Sequence, residues 1–157
     1  MAGEGSRTYR MVQEGWIFGD MKVLEGDAPI AHFSFGAWKT LGEFEFEGGT
    51  YEVVKKGGLS SLFRLERDGA VLCETTLAGV WSKRAEVSLD GVRYVVAWPA
   101  FDAKTILRRD GVEVGFVGKW KTWKREAQAT FVESVPPLVR VFAMWLSVYK
   151  RRVDMAG

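Results

Sequence analysis

The residues best suited to binding chemistry stand together at Lys119-Trp120-Lys121-Thr122-Trp123-Lys124-Arg125. Lys119, Lys121, Lys124 and Arg125 supply positive charge around two indoles. Ammonium and guanidinium groups hold phosphate through charge-assisted hydrogen bonds, and tryptophan favours the level of lipid headgroups, where one part of the ring is dry and another wet. Cations and indoles gathered around a turn therefore form a candidate site for an anionic headgroup. The plainer reading of the same residues is a hairpin end whose tryptophans cap a core and whose lysines stay solvated or guard a strand edge.

Other groups offer less. His32 is the sole histidine, which leaves a histidine-based metal site or catalytic triad almost nothing to use. Glu43, Glu45 and Glu47 resemble a carboxylate pair for acid–base work, but they alternate with Phe44 and Phe46 as any half-buried strand does. Gly48-Gly49 and Gly57-Gly58 lack the Lys-Ser/Thr that follows a phosphate-cradling loop at a helix start. No nucleophile, base and orienting group can be assembled, so the expectation is a protein that is not an enzyme and needs no cofactor or metal. Cys73 stands alone, which excludes an internal disulfide framework and suits a reducing compartment. With 22 basic and 20 acidic residues the formal charge is +2, too balanced for a protein that relies on many phosphate contacts with nucleic acid. The first thirty residues show no leader pattern and Ala2 replaces the glycine that myristoylation requires, so the expected location is cytoplasmic.

The elements that position the basic hairpin are mostly strands. Glu43 to Glu47 alternates with period two, and Gly48-Gly49 is the expected turn into Thr50 to Val54. An ungapped repeat follows. Residues 63–71 and 105–113 share Leu, Arg, Asp and Gly in register, and the same offset of 42 pairs Trp81 with Trp123 and Ala85 with Ala127. Each copy reads as a strand, an Asp-Gly turn, a second strand and a Trp-led third strand, here Trp123 to Val132. Lys83-Arg84 corresponds to Lys124-Arg125, and such repetition favours a structural cause. Asp90-Gly91 marks another tight turn, and Pro99 to Ala103 reads as a loop.

From Leu138 to Tyr149 only Arg140 and Ser147 are polar, so a helix there is apolar all round and must be surrounded. Twelve residues at ~1.5 Å each reach roughly 18 Å against ~30 Å of bilayer core, which excludes a simple transmembrane span. About twelve short strands form too wide an open sheet; closed into a barrel they leave a lumen that the helix can plug. The expected fold is mainly β, a closed antiparallel barrel around a central hydrophobic C-terminal helix. Residues 1–6 read as a loose tail, and 7–157 as one domain. Lys150-Arg151-Arg152 reads as a solvated helix end, and Arg140 as a charge that snorkels to a barrel mouth or meets a carboxylate.

A barrel of this strand number with a hydrophobic C-terminal helix through it, and Asp68-Gly69 and Asp110-Gly111 turns in its second half, resembles the tubby C-terminal domain superfamily, with its LURP-one-related and phospholipid scramblase members and compact bacterial relatives. The resemblance covers the chain from about Arg7. It implies a binding module, peripheral to membranes in some members, in which basic residues of the wall engage phosphoinositide or other anionic headgroups. The acidic calcium segment and the cysteine-rich palmitoylated stretch described for scramblases are missing from this sequence, so lipid scrambling is not expected. The other expectation is a structural or regulatory protein-interaction domain with no lipid ligand, using exposed aromatic residues as its partner surface.

Overall fold

The chain reverses where residue pairs accept positive φ. The computed structural model describes residues 5–14, 20–35, 41–55, 62–77, 84–99, 104–121 and 123–156. Its strands are β1 (Ser6–Gln13), β2 (Met21–Glu25), β3 (Ala28–Phe35), β4 (Gly42–Phe46), β5 (Gly49–Lys55), β6 (Leu62–Arg67), β7 (Ala70–Leu77), β8 (Arg84–Leu89), β9 (Val92–Ala97), β10 (Thr105–Arg109), β11 (Val112–Val117) and β12 (Glu126–Val132), followed by α1 (Pro137–Ala156). Asp68-Gly69, Asp90-Gly91 and Asp110-Gly111 have positive φ at both positions. That is the signature of the type I′ turn, whose twist matches the strands it joins. Glu47-Gly48 behaves the same way, with φ of 48° and 75°. The fourth turn is therefore Glu47-Gly48 rather than Gly48-Gly49. Gly49 instead opens β5 against Arg67, whose guanidinium carbon would lie 2.7 Å from any Cβ there.

Each strand pairs antiparallel with its sequence neighbours, and β1 closes on β12 from Ser6↔Val132 to Val12↔Glu126. The result is a closed twelve-strand barrel. Ser6 is thus part of the wall, while residues 1–4 of the expected tail lie outside the described residues. Alternation sends Met11, Val23, Phe33, Phe44, Val53, Leu65, Val96, Leu107 and Phe131 inward. Outward it leaves polar residues such as Glu43, Glu45, Glu52, Arg64 and Gln128. This is the inverse of a lipid-facing barrel, which carries an apolar outer band. Among the described residues no helix is long and apolar enough to cross a membrane.

The helix fills the lumen. From Val139 to Leu146 no side chain is more than 6 % exposed, so both sides of α1 are covered. Its contacts come from around the wall: Phe142 with Phe44, Trp145 with Phe35, Tyr149 with Phe63, and Thr105 Oγ1 donating to Ser147 Oγ at 3.0 Å. The helix is longer than its apolar stretch, because it continues through Lys150-Arg151-Arg152.

Arg140 does not snorkel, and among the described residues its hydrogen bonds go to oxygens other than a carboxylate's. Its Nε donates to the Val135 carbonyl at 2.7 Å, Nη1 to the Tyr9 hydroxyl at 2.8 Å, and Nη2 to the Glu133 carbonyl at 2.8 Å. The first turn of α1 is thereby tied to β1 and to the connection it has just left. A buried guanidinium is tolerated because each of its three nitrogens donates to an oxygen.

The backbone extends the repeat found in the sequence. Register slips by one residue after Val23, Leu65 and Leu107, at intervals of 42, leaving Ile30, Leu72 and Val114 as the extra residues of three bulges. Strands β3, β7 and β11 begin at positions 28, 70 and 112, and β4, β8 and β12 at 42, 84 and 126. The barrel therefore holds three four-strand units, the third completed by β1. Bulges bend strands and help a sheet to close.

Because strands alternate in direction, the barrel has two unlike mouths. The two-residue turns all lie at one, together with the start of α1. The longer connections, including 118–125 between β11 and β12, all lie at the other, where α1 ends.

Candidate functional site

A lysine-rich hairpin needs a rigid base to be a site. Here the base is the β11–β12 ladder: Gly118 N donates to the Gln128 carbonyl at 2.7 Å, and Lys121 pairs with Glu126 through Lys121 N to the Glu126 carbonyl at 2.8 Å. Lys124 N then donates to the Lys121 carbonyl at 3.1 Å, closing a turn with Trp123 near its tip. Arg125 completes the reversal with φ of 54°, and its carbonyl accepts Gln13 N at 2.9 Å. Left-handed backbone costs an L-residue about 1–2 kcal/mol where glycine pays little, so an arginine here is a cation held at some backbone expense. These reversals also move the strand start. The Trp-led strand expected from Trp123 begins at Glu126.

Lys119, Lys121, Lys124 and Arg125 are all exposed. Lys119 and Lys121 line a surface groove of about 570 Å³, whose walls include Phe116, Trp120 and Trp123, with Gln128 and Thr130 of β12 along one side. Lys124 and Arg125 do not line it; Lys124 Nζ lies 4.9 Å from the centre of the Trp123 ring. Lys104 Nζ sits 4.4 Å from the centre of the Phe116 ring. The groove thus combines ring faces, an amide, a hydroxyl and two ammonium groups.

The two tryptophans have different tasks. Trp120 is half-buried and packs on the core, whereas Trp123 is 80 % exposed. Arg151 of α1 stacks on Trp120 at 4.5 Å, and Arg152 lies 4.6 Å from the Phe35 ring, which itself stacks on Trp145. The expected solvated end of the helix is therefore a packed one, with Lys150 only 9 % exposed. Burial draws the Arg151 and Arg152 guanidinium pKa values down from their ordinary value. Both stay charged in the neutral range, but they are partly stripped of water.

Arg151 beside the hairpin was missed by sequence reasoning. Strand parity held the signal: a helix that follows an even number of antiparallel strands starts at the mouth where the first began, and ends at the other with the β11–β12 connection.

The remaining candidates do not join the groove. His32 Nε2 is 3.5 Å from Asp20 and 3.8 Å from Glu14, on the outer wall near β2. Glu43 and Glu45 face outward from β4, and Glu47 lies in its turn. Cys73 is buried, and desolvation pushes its thiol up to about 12, which makes it inert. Arg84 opens β8 as Glu126 opens β12, so the offset of 42 sets Arg84 against Glu126 and not Arg125. Trp81, Lys83, Lys56, Gly57-Gly58 and residues 100–103 lie outside the described residues.

No family model, curated protein or solved structure matches this chain. A functional reading rests on the geometry and on the resemblance above.

Proposed function

We propose that this protein is a non-enzymatic module that binds a phosphorylated headgroup, on an anionic lipid or as a free inositol phosphate, beside the 118–125 hairpin. The observation that carries the reading is the groove in which Lys119 and Lys121 flank Phe116, Trp120 and Trp123. Lys119 and Lys121 engage phosphate as point charges, and Gln128 and Thr130 offer hydrogen bonds to ring hydroxyls. Lys124 and Arg125 add positive potential at the rim. A barrel built around a helix agrees with the resemblance to the tubby superfamily, and headgroup binding by tubby members points the same way.

Titration calorimetry with inositol trisphosphate tests the reading, alongside co-sedimentation with phosphoinositide vesicles. The combined replacement Lys119→Gln, Lys121→Gln, Lys124→Gln and Arg125→Gln is expected to weaken both by at least about tenfold, since each cation near such a surface contributes about 1 kcal/mol. Calorimetric binding without vesicle binding identifies the soluble phosphate as the ligand. Unchanged binding in the variant, or none by the wild type, sinks the proposal and leaves a protein-interaction domain as the better reading.

A further inference from the structure

The two mouths differ in charge as well as in connection length. Turns at the α1-start mouth carry Asp27, Glu47, Asp68, Asp90 and Asp110. At the opposite mouth the 118–125 hairpin exposes Lys119, Lys121 and Lys124, and α1 brings Arg151 to the same place. A molecule with such polarity along its axis turns its basic end toward a negative surface before contact, since a field acts on charge separated over a length. Steering is the first of two independent observations.

The second is Trp123. An indole 80 % exposed to water is out of keeping with a chain that encloses Trp98 and Trp145 almost completely. The Lys121–Glu126 pairing and the turn closed by Lys124 N fix the backbone, while Trp120, packed on the core and stacked by Arg151, seats the hairpin on the barrel. A hydrogen-bonded hairpin carrying one exposed ring amid cations matches the boundary between anionic headgroups and acyl chains, where indoles collect and cations meet phosphate.

We propose that the mouth where α1 ends is the membrane-docking face, with Trp123 set in the headgroup–acyl boundary of an anionic bilayer and the acidic turns of the other mouth pointing into water. This rests on the headgroup reading above and adds the pose, the penetrating residue and the occupant, which is a lipid surface. The groove then opens at the side of the embedded hairpin, so a headgroup enters it from the bilayer plane. Arg151 holds the hairpin to α1 during docking and is a positioning residue in this arrangement.

A single fluorophore at either mouth tests the pose. Trp123→Cys and Val112→Cys are both suitable because Trp123 and Val112 are 80 % and 52 % exposed, whereas the native Cys73 is buried and will not compete for the label. Each protein carries an environment-sensitive dye and meets vesicles of phosphatidylcholine alone or with about one-fifth phosphatidylserine, at low and high salt. The expected result is a blue shift and quenching by brominated lipid at position 123 only, on anionic vesicles only, diminished by salt. Trp123→Ala should weaken partitioning onto the anionic vesicles roughly tenfold. Binding with the dye at 123 still in water, or with the dye at 112 shielded, overturns the pose and spares the headgroup reading. Failure to bind either vesicles or inositol phosphate overturns both.

Discussion

The two mouths of the barrel solve different problems with the same strands. At one, two-residue turns spend few residues outside the sheet, and the Arg140 side chain binds the helix start to Tyr9, Glu133 and Val135. At the other, longer connections carry cations and an exposed indole, and the helix end is held by stacking of Arg151 on Trp120 and Arg152 on Phe35. Hydrogen bonds in fixed directions serve the first mouth; ring faces, which tolerate sliding, serve the second. The difference teaches that closing a barrel and displaying cations beside an exposed ring need not compete when the length of its strands separates them.

The most severe way to probe that separation is to remove what spans it. Truncation after Ser134 deletes α1, whose side chains each contribute about 1.5–3 kcal/mol when fully buried, against a net stability of ~5–15 kcal/mol for a typical domain. The expected product has no cooperative melt by circular dichroism; a truncated chain that unfolds like the intact one would show that the barrel stands without its plug. Next in size is Arg140→Met. It leaves two carbonyls and the Tyr9 hydroxyl without their donor, at a cost of about 2–4 kcal/mol in urea unfolding, while binding per folded molecule stays constant. Replacing the four hairpin cations with Gln should do the reverse, moving stability by less than about 0.5 kcal/mol. A matching loss of stability there would mean that the second mouth also holds the fold.

The smallest effect concerns acid. Arg7 reaches Glu25 with Nε–Oε2 at 2.6 Å, and that hydrogen bond holds the Glu25 carboxyl below its ordinary value. A carboxyl whose folded pKa is depressed stabilises fully above its unfolded value of ~4.3 and loses that contribution as pH falls through the folded one. Arg7→Gln should therefore raise the acid-unfolding midpoint slightly and leave stability unchanged once the pH is below the folded Glu25 pKa. The effect is modest because both groups are open to solvent.

Much of this was legible in the residues. Asp-Gly pairs have a backbone reason to mark turns, and a helix apolar all round has no place except inside. The first of the three repeat units was hidden, because it reverses the turn pair to Gly26-Asp27 while keeping the bulge between Val23 and Leu24 and the spacing of the strand starts. Backbone geometry repeated there while side chains drifted. The basic hairpin was visible as composition, yet its groove was not. Phe116, Gln128 and Thr130 are unremarkable strand residues until pairing sets them beside Lys119. Arg140 misled for a related reason: the expected partner was water at a barrel mouth or a carboxylate, but two backbone carbonyls and the Tyr9 hydroxyl lie within reach.

The element at the centre of this barrel is made after the wall around it. Twelve strands leave the ribosome before α1 does, and neighbouring strands meet as each appears, except that β1 must find β12 across the separation from Ser6 to Val132. Until that seam forms, β1 and β12 both offer unpaired backbone, and until α1 is made the lumen has no core to fill it. That interval is when the chain is most apt to pair with another copy of itself. Because it is made last, α1 can complete the core only once the strands around it are present.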